Sequence, residues 1–165
     1  METTKPIKRN AAIVEFSKDH HFALLLVWKI REGLKKSIEF SRITKYVIHF
    51  FECDLIPHFK DEEELLYSKL SKDNKLRIQA ETEHENIYLM IDALRKKPDD
   101  KDLLQKFADT LEKHIRFEER ELFNYLQENI SESDLLEIAS SLKQREQEPD
   151  TVWTDAFWES KTPKV

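Results

Sequence analysis

One glycine in 165 residues is the strongest constraint on this chain. Sheet-rich folds use glycine wherever the backbone turns tightly or takes a positive φ. A chain with one glycine and five prolines must reverse direction seldom, so its elements must be long. The apolar residues agree. Ile13, Phe16, Leu24, Val27, Ile30 and Leu34 recur at spacings of three and four, the period of one helix face. Charged residues make up 36% and hydrophobic residues 39%, a mix that suits amphipathic helices around one shared core. No alternating strand pattern competes.

The spacing predicts a first helix from Ala11 to Lys36, with Gly33 weakening its end. Ser37 or Ser41 could cap a long second helix, Glu39 to Leu70, kinked at Pro57. After a polar break at Ser71 to Asn74, a third helix runs from Lys75 to Lys96. Pro98-Asp99-Asp100 forms a turn, and Asp99 or Asp100 can cap a fourth helix ending near Asn129. Ser131 or Ser133 opens a short fifth helix, Leu135 to Lys143. The expected fold is all-α: an up-down-up-down four-helix bundle over residues 1–145, with a short fifth helix. Residues 146–165 form a C-terminal tail whose Trp153, Phe157 and Trp158 dock on the bundle.

Several function classes fall away at once. A net charge of −6 argues against nucleic-acid partners, which need a basic surface. Cys53 is the only cysteine, so an intrachain disulfide and a multi-cysteine zinc site are excluded. Cys53 itself reads as a small buried filler beside Pro57. The longest wholly apolar run, Phe22 to Trp28, is too short for a bilayer, so no membrane partner and a cytoplasmic location are expected. A single glycine also leaves no glycine-rich phosphate loop or nucleophile elbow.

What remains is a set of histidines and glutamates. The chain has six histidines: His20, His21, His49, His58, His84 and His114. Glu62 follows His58 by four residues, and Glu118 follows His114 by four. Residues four apart on a helix share a face, with Cβ atoms about 5–6 Å apart. Each pair can therefore offer an imidazole nitrogen and a carboxylate oxygen to one inward point, a donor set suited to iron, manganese or zinc. Their heights along the bundle coincide. Two residues of an antiparallel hairpin lie level when they are equally far from its turn. The midpoint of His20 and His58 is position 39, that of Glu62 and His84 is 73, and that of His84 and Glu118 is 101. All three fall in or beside the proposed connections. His20 follows the inward line of Ile13, Phe16, Leu24 and Val27, whereas His21 follows the bundle's side; His20 is preferred. His49 points elsewhere and reads as structural or exposed.

At this point the sequence resembles the hemerythrin-like family of histidine–histidine–glutamate cation-binding domains. The matching pieces are Asp19-His20, His58 with Glu62 to Leu65, Glu83-His84-Glu85, and His114 with Glu118-Glu119. The resemblance implies a four-helix bundle around a non-haem di-iron centre. It implies His20 and His58 on one iron, His84 and His114 on the other, and Glu62 and Glu118 as bridges. One departure matters. Oxygen-carrying hemerythrins present two histidines four residues apart on helix three, and here Ala80 stands where the first would be. Glu81 or water could fill that place.

The expected function is that of a di-iron protein, more a binder than an enzyme. Its partner would be dioxygen, nitric oxide or another small diatomic ligand, or iron itself. The alternative is a di-iron enzyme acting on peroxide or repairing iron–sulfur centres.

Overall fold

The computed structural model describes residues 9–142 and 153–159. Helix α1 spans Ala11–Lys35. A second rod, residues 40–69, is composite. It runs through α2 (Phe40–Phe50), a π-helical turn (Phe51–Leu55), α3 (Ile56–Asp61), a second π turn (Glu62–Leu66) and a 3-10 turn (Tyr67–Lys69). Helix α4 spans Lys75–Lys96. A fourth rod, residues 101–129, joins α5 (Lys101–Phe117), a π turn (Glu118–Leu122) and α6 (Phe123–Asn129). Helix α7 (Glu132–Leu142) and a 3-10 turn at Phe157–Glu159 follow. There is no strand among the described residues, so the chain is an all-α bundle, as its apolar period predicts. α1 packs on α5, α2 and α7, and α4 packs on α5 and α2. No helix of the described residues is long and apolar enough to cross a membrane.

Side chains close most helix starts. Asn10, Asn74 and Asp100 accept backbone N–H groups at the starts of α1, α4 and α5, and the Ser131 hydroxyl accepts the Asp134 N–H at α7. α2 differs from expectation. Neither Ser37 nor Ser41 caps it: Glu39 holds the N-cap position without a side-chain bond, and the Ser41 hydroxyl donates to Glu39. Ser37 instead ends α1. Its φ is 54°, its N–H donates to the Leu34 carbonyl, and the Ile38 N–H donates to the Gly33 carbonyl. These are the paired bonds of a Schellman stop, with serine where glycine is usual.

Gly33 therefore serves neither turn nor stop; it is a place of close packing. A Cβ there would lie 2.8 Å from Ile43 Cδ1 and 2.9 Å from Phe157 Cε2. Pro57 also behaves in a specific way. The π turn before it lets the Ile56 N–H bond to the Phe51 carbonyl five residues back. Pro57 thus falls in the first turn of α3, where a missing donor costs least. The wide turn also shifts the facing of what it carries. Cys53, expected in the core, is exposed, with its sulfur 3.8 Å from His49 Nδ1.

Two apolar clusters fill the interior. One gathers Leu26, Ile30, Ile43, Tyr46, Phe51, Phe59, Ile87, Ile91, Phe107 and Leu111, among others, and includes Phe157. The other gathers Ile13, Phe16, Leu66, Tyr67, Ala80, Leu122 and Phe123, with Leu135 and Ile138 of α7. The C-terminal aromatics lie on the first cluster. Phe157 is fully buried, Trp153 and Trp158 flank Tyr46, and Arg42 pairs with Asp155 at 2.7 Å. Lys29 is buried, donates to the Tyr46 hydroxyl and lies 3.9 Å from the centroid of Trp158. The expected boundary at 145/146 and the fifth helix's expected last residue, Lys143, lie outside the described residues.

Candidate metal centre

Buried polar residues are rare in the described part of this chain, and six of them meet at one level between the two apolar clusters. His20, His58, Glu62, His84, His114 and Glu118 are all between 0% and 4% exposed. They form two overlapping groups: His20, His58, Glu62 and Glu118, and Glu62, His84, His114 and Glu118. Within each group one donor atom per residue lies within 4.8 Å of the others. His21 is exposed on the surface of α1, beside Phe22, and takes no part.

The shared members are the two glutamates. Glu118 turns Oε2 to His20 Nε2 at 2.9 Å and Oε1 to His114 Nε2 at 2.7 Å, so it reaches both groups. Glu62 does the same less tightly. Its Oε2 lies 3.5 Å from His20 Nε2, and its Oε1 lies 3.2 Å from both His58 and His84 Nε2. The i to i+4 spacing brings each glutamate beneath its own histidine, and helix packing brings in the others.

Each imidazole is aimed from behind. Nδ1 of His20 bonds to Glu119 at 2.7 Å, of His58 to Asp19 at 3.0 Å, of His84 to Glu63 at 3.0 Å and of His114 to Glu83 at 2.8 Å. A carboxylate on Nδ1 fixes the tautomer and leaves Nε2 free to coordinate. These four bonds close a ring. α1 calls on the fourth rod for Glu119, the fourth rod on α4 for Glu83, α4 on the second rod for Glu63, and the second rod on α1 for Asp19. Every supporting acid is a sequence neighbour of an inward residue: Asp19 of His20, Glu63 of Glu62, Glu83 of His84, Glu119 of Glu118. Adjacent helical positions face about 100° apart, which points one residue at the centre and the next at the adjoining rod.

Aromatic rings wall the layer. Phe59 stacks on His84 with centroids 3.9 Å apart, Phe123 stacks on His20 at 5.1 Å, and Phe16 lies 6.1 Å from His58. Such walls exclude water and strengthen every charge interaction inside.

The residues fit a metal. Nε2 of His20, His58 and His114, both oxygens of Glu62, and Glu118 Oε2 are buried and make no hydrogen bond with the described residues. They face one another as donors and acceptors face a cation. Burying so many ionisable groups is costly even where they face one another as imidazole–carboxylate pairs, and a shared cation would offset that cost. Burial alone would lower His58, but the neighbouring Glu62 and Asp19 outweigh it and raise the imidazole from 6.5 to about 9. Burial alone would raise Glu118, but His114 and His20 outweigh it and hold the carboxyl well below its ordinary range.

One sequence expectation changes here. Glu81 does not reach the centre: its carboxylate bonds to Arg77 at 2.6 Å and is 42% exposed. A residue absent from the sequence reading does reach it. The Tyr67 hydroxyl donates to Glu118 Oε1 at 2.5 Å and lies 3.4 Å from His84 Nε2, and Tyr67 is fully buried. Five residues along an unbroken α-helix turn about 140° away from the start. The π turn at Glu62–Leu66 takes up the excess, its closing bond running from the Tyr67 N–H to the Glu62 carbonyl.

A level of buried imidazoles bridged by shared carboxylates, inside a bundle of four rods, defines a cation-binding helical protein. The sequence matches the hemerythrin HHE cation binding domain over residues 12–126, more than half of the chain, and the protein belongs to that family. No curated protein and no solved structure matches it.

Proposed function

We propose that this chain holds a non-haem pair of iron ions and uses it to bind or sense a diatomic ligand, dioxygen or nitric oxide, or iron itself. In this reading His20 and His58 hold one ion, His84 and His114 hold the other, and Glu62 and Glu118 bridge them. The observation that carries it is the sharing of both glutamates by two otherwise separate groups of donors. A carboxylate has two oxygens and can serve two cations at once. Mixed imidazole and carboxylate donors suit iron. Bound iron would supply an electron-rich site able to exchange electrons with a small ligand. The chain's own part is to aim the imidazoles through their Nδ1 partners, to hold the bridging carboxylates ionised, and to keep water out with Phe16, Phe59 and Phe123.

Metal analysis and an absorption spectrum of the aerobically purified protein test this reading. Two irons per chain and visible bands that change reversibly with the diatomic ligand are expected. Chains that take up no iron when supplied with it would overturn the reading, and turnover of peroxide would move it to an enzyme.

Proton release gives an independent check. Coordination needs a neutral Nε2, and His58, with its pKa raised to about 9, carries a proton at neutral pH before metal binds. Metal uptake therefore releases protons, and apparent affinity rises with pH until about pH 9 is passed. Titration calorimetry in buffers of different ionisation enthalpy measures the protons directly; a buffer-independent heat would contradict the expectation.

A further inference from the structure

The geometry points to Tyr67 as a seventh ligand of the centre, its phenolate oxygen bound to the metal held by His84 and His114. The inference rests on the two-metal reading above and adds a residue to it. Around an octahedral ion with bonds of about 2.1 Å, neighbouring ligand atoms sit about 3 Å apart. The Tyr67 oxygen brackets that spacing, 2.5 Å from Glu118 Oε1 and 3.4 Å from His84 Nε2. Glu118 Oε1 is in turn 2.7 Å from His114 Nε2. Four donor atoms of suitable chemistry thus cluster on one side.

The other half of the bundle supplies the comparison. His58, Glu62 and Tyr67 of the second rod correspond in spacing to His114, Glu118 and Phe123 of the fourth. A π turn begins at each glutamate and swings the fifth residue beyond it back to the layer. On the side of His20, Phe123 stacks on the imidazole and Phe16, one turn before His20, makes edge contact with Phe123. On the side of His84, the residue one turn earlier is Ala80, small and fully buried, and Tyr67 brings a hydroxyl where Phe123 brings none. Hydroxyl and small residue therefore occur together, on the side where Ala80 stands in place of a second histidine on α4. Both positions have a phenylalanine against an imidazole, Phe123 on His20 and Phe59 on His84, but only the second also carries the Tyr67 oxygen. On coordination the phenol O–H bond breaks, its oxygen pair goes to the metal and its proton passes to solvent.

The test compares ferric-loaded wild type with Tyr67→Phe, which keeps the ring and removes only the oxygen. Iron content and the visible and resonance Raman spectra are read together. Wild type is expected to hold two irons and to show a phenolate-to-ferric charge-transfer band with tyrosinate ring modes. Tyr67→Phe is expected to lose both signatures while keeping its iron. Two irons in wild type with no tyrosinate modes, or modes that survive in Tyr67→Phe, would overturn the ligand and leave the two-metal reading standing. A wild type that takes up no iron would overturn both.

Discussion

Under the two-ion reading proposed above, replacing Glu118 with alanine should abolish binding of both ions, whereas replacing His58 with alanine should weaken one. The asymmetry follows from position. His58 belongs to one donor group only, but Glu118 belongs to both and lies 2.9 Å from His20 Nε2 on one side and 2.7 Å from His114 Nε2 on the other. Removing Glu118 also takes away the acceptor of Tyr67 and the negative charge that sustains three buried imidazoles. Loss of one partner of a buried charge pair costs about 3–5 kcal/mol, so Glu118→Ala should also melt earlier than wild type. Glu118→Gln separates the two effects, since it keeps the volume and removes the charge. Metal content per folded chain, measured beside circular dichroism, decides the matter. Full retention of one ion in Glu118→Ala would show that the carboxylate is not shared.

Phe157→Ala should cost about 3–5 kcal/mol, the range for emptying a fully buried phenylalanine site. Phe157 is fully buried, packs against the bare backbone of Gly33, and meets Tyr46 and Trp158 at 5.7 and 5.1 Å between centroids. For a domain of this size the drop in Tm should be on the order of 10 °C. Metal stoichiometry should be unchanged, because Phe157 packs on Gly33, Tyr46 and Trp158 and is not among the donor residues. Thermal melting with parallel iron analysis checks both halves. A melting point within a degree or so of wild type would mean that Phe157 contributes nothing to the fold.

Much of this architecture was legible because period and level are linear properties of a sequence. Counting outward from three turns brought His20, His58, Glu62, His84, His114 and Glu118 to one height, and the folded chain buries all six there. What escaped depends on departures from the α-period. Tyr67 lies five residues beyond Glu62, off its face in a regular helix, and only the π turn returns it. Cys53 lies inside another π turn and emerges on the surface. A donor bound by hydrogen bonds five residues apart leaves no mark in hydrophobic spacing. The supporting acids were visible but mute. Asp19, Glu63, Glu83 and Glu119 stood beside inward residues in the sequence, yet their roles depend on which rod adjoins which. Glu81 lies one turn before His84 in the sequence, but Arg77, four residues earlier on the same helix, claims it. Ser37 looked like a helix start because serine favours that role; its positive φ makes it a helix stop.

The closed ring of Nδ1 bonds bears on how the chain finds its fold. Every rod gives one carboxylate to a neighbour and receives one from the other neighbour. A rod that slid by one helical turn, about 5.4 Å, would still bury an amphipathic face, since its apolar stripe nearly repeats. It would break two of the four bonds, one given and one received. Apolar packing tolerates such a slip far better than the ring does. The four carboxylates thus mark one register of the four rods, the one in which the donors are level.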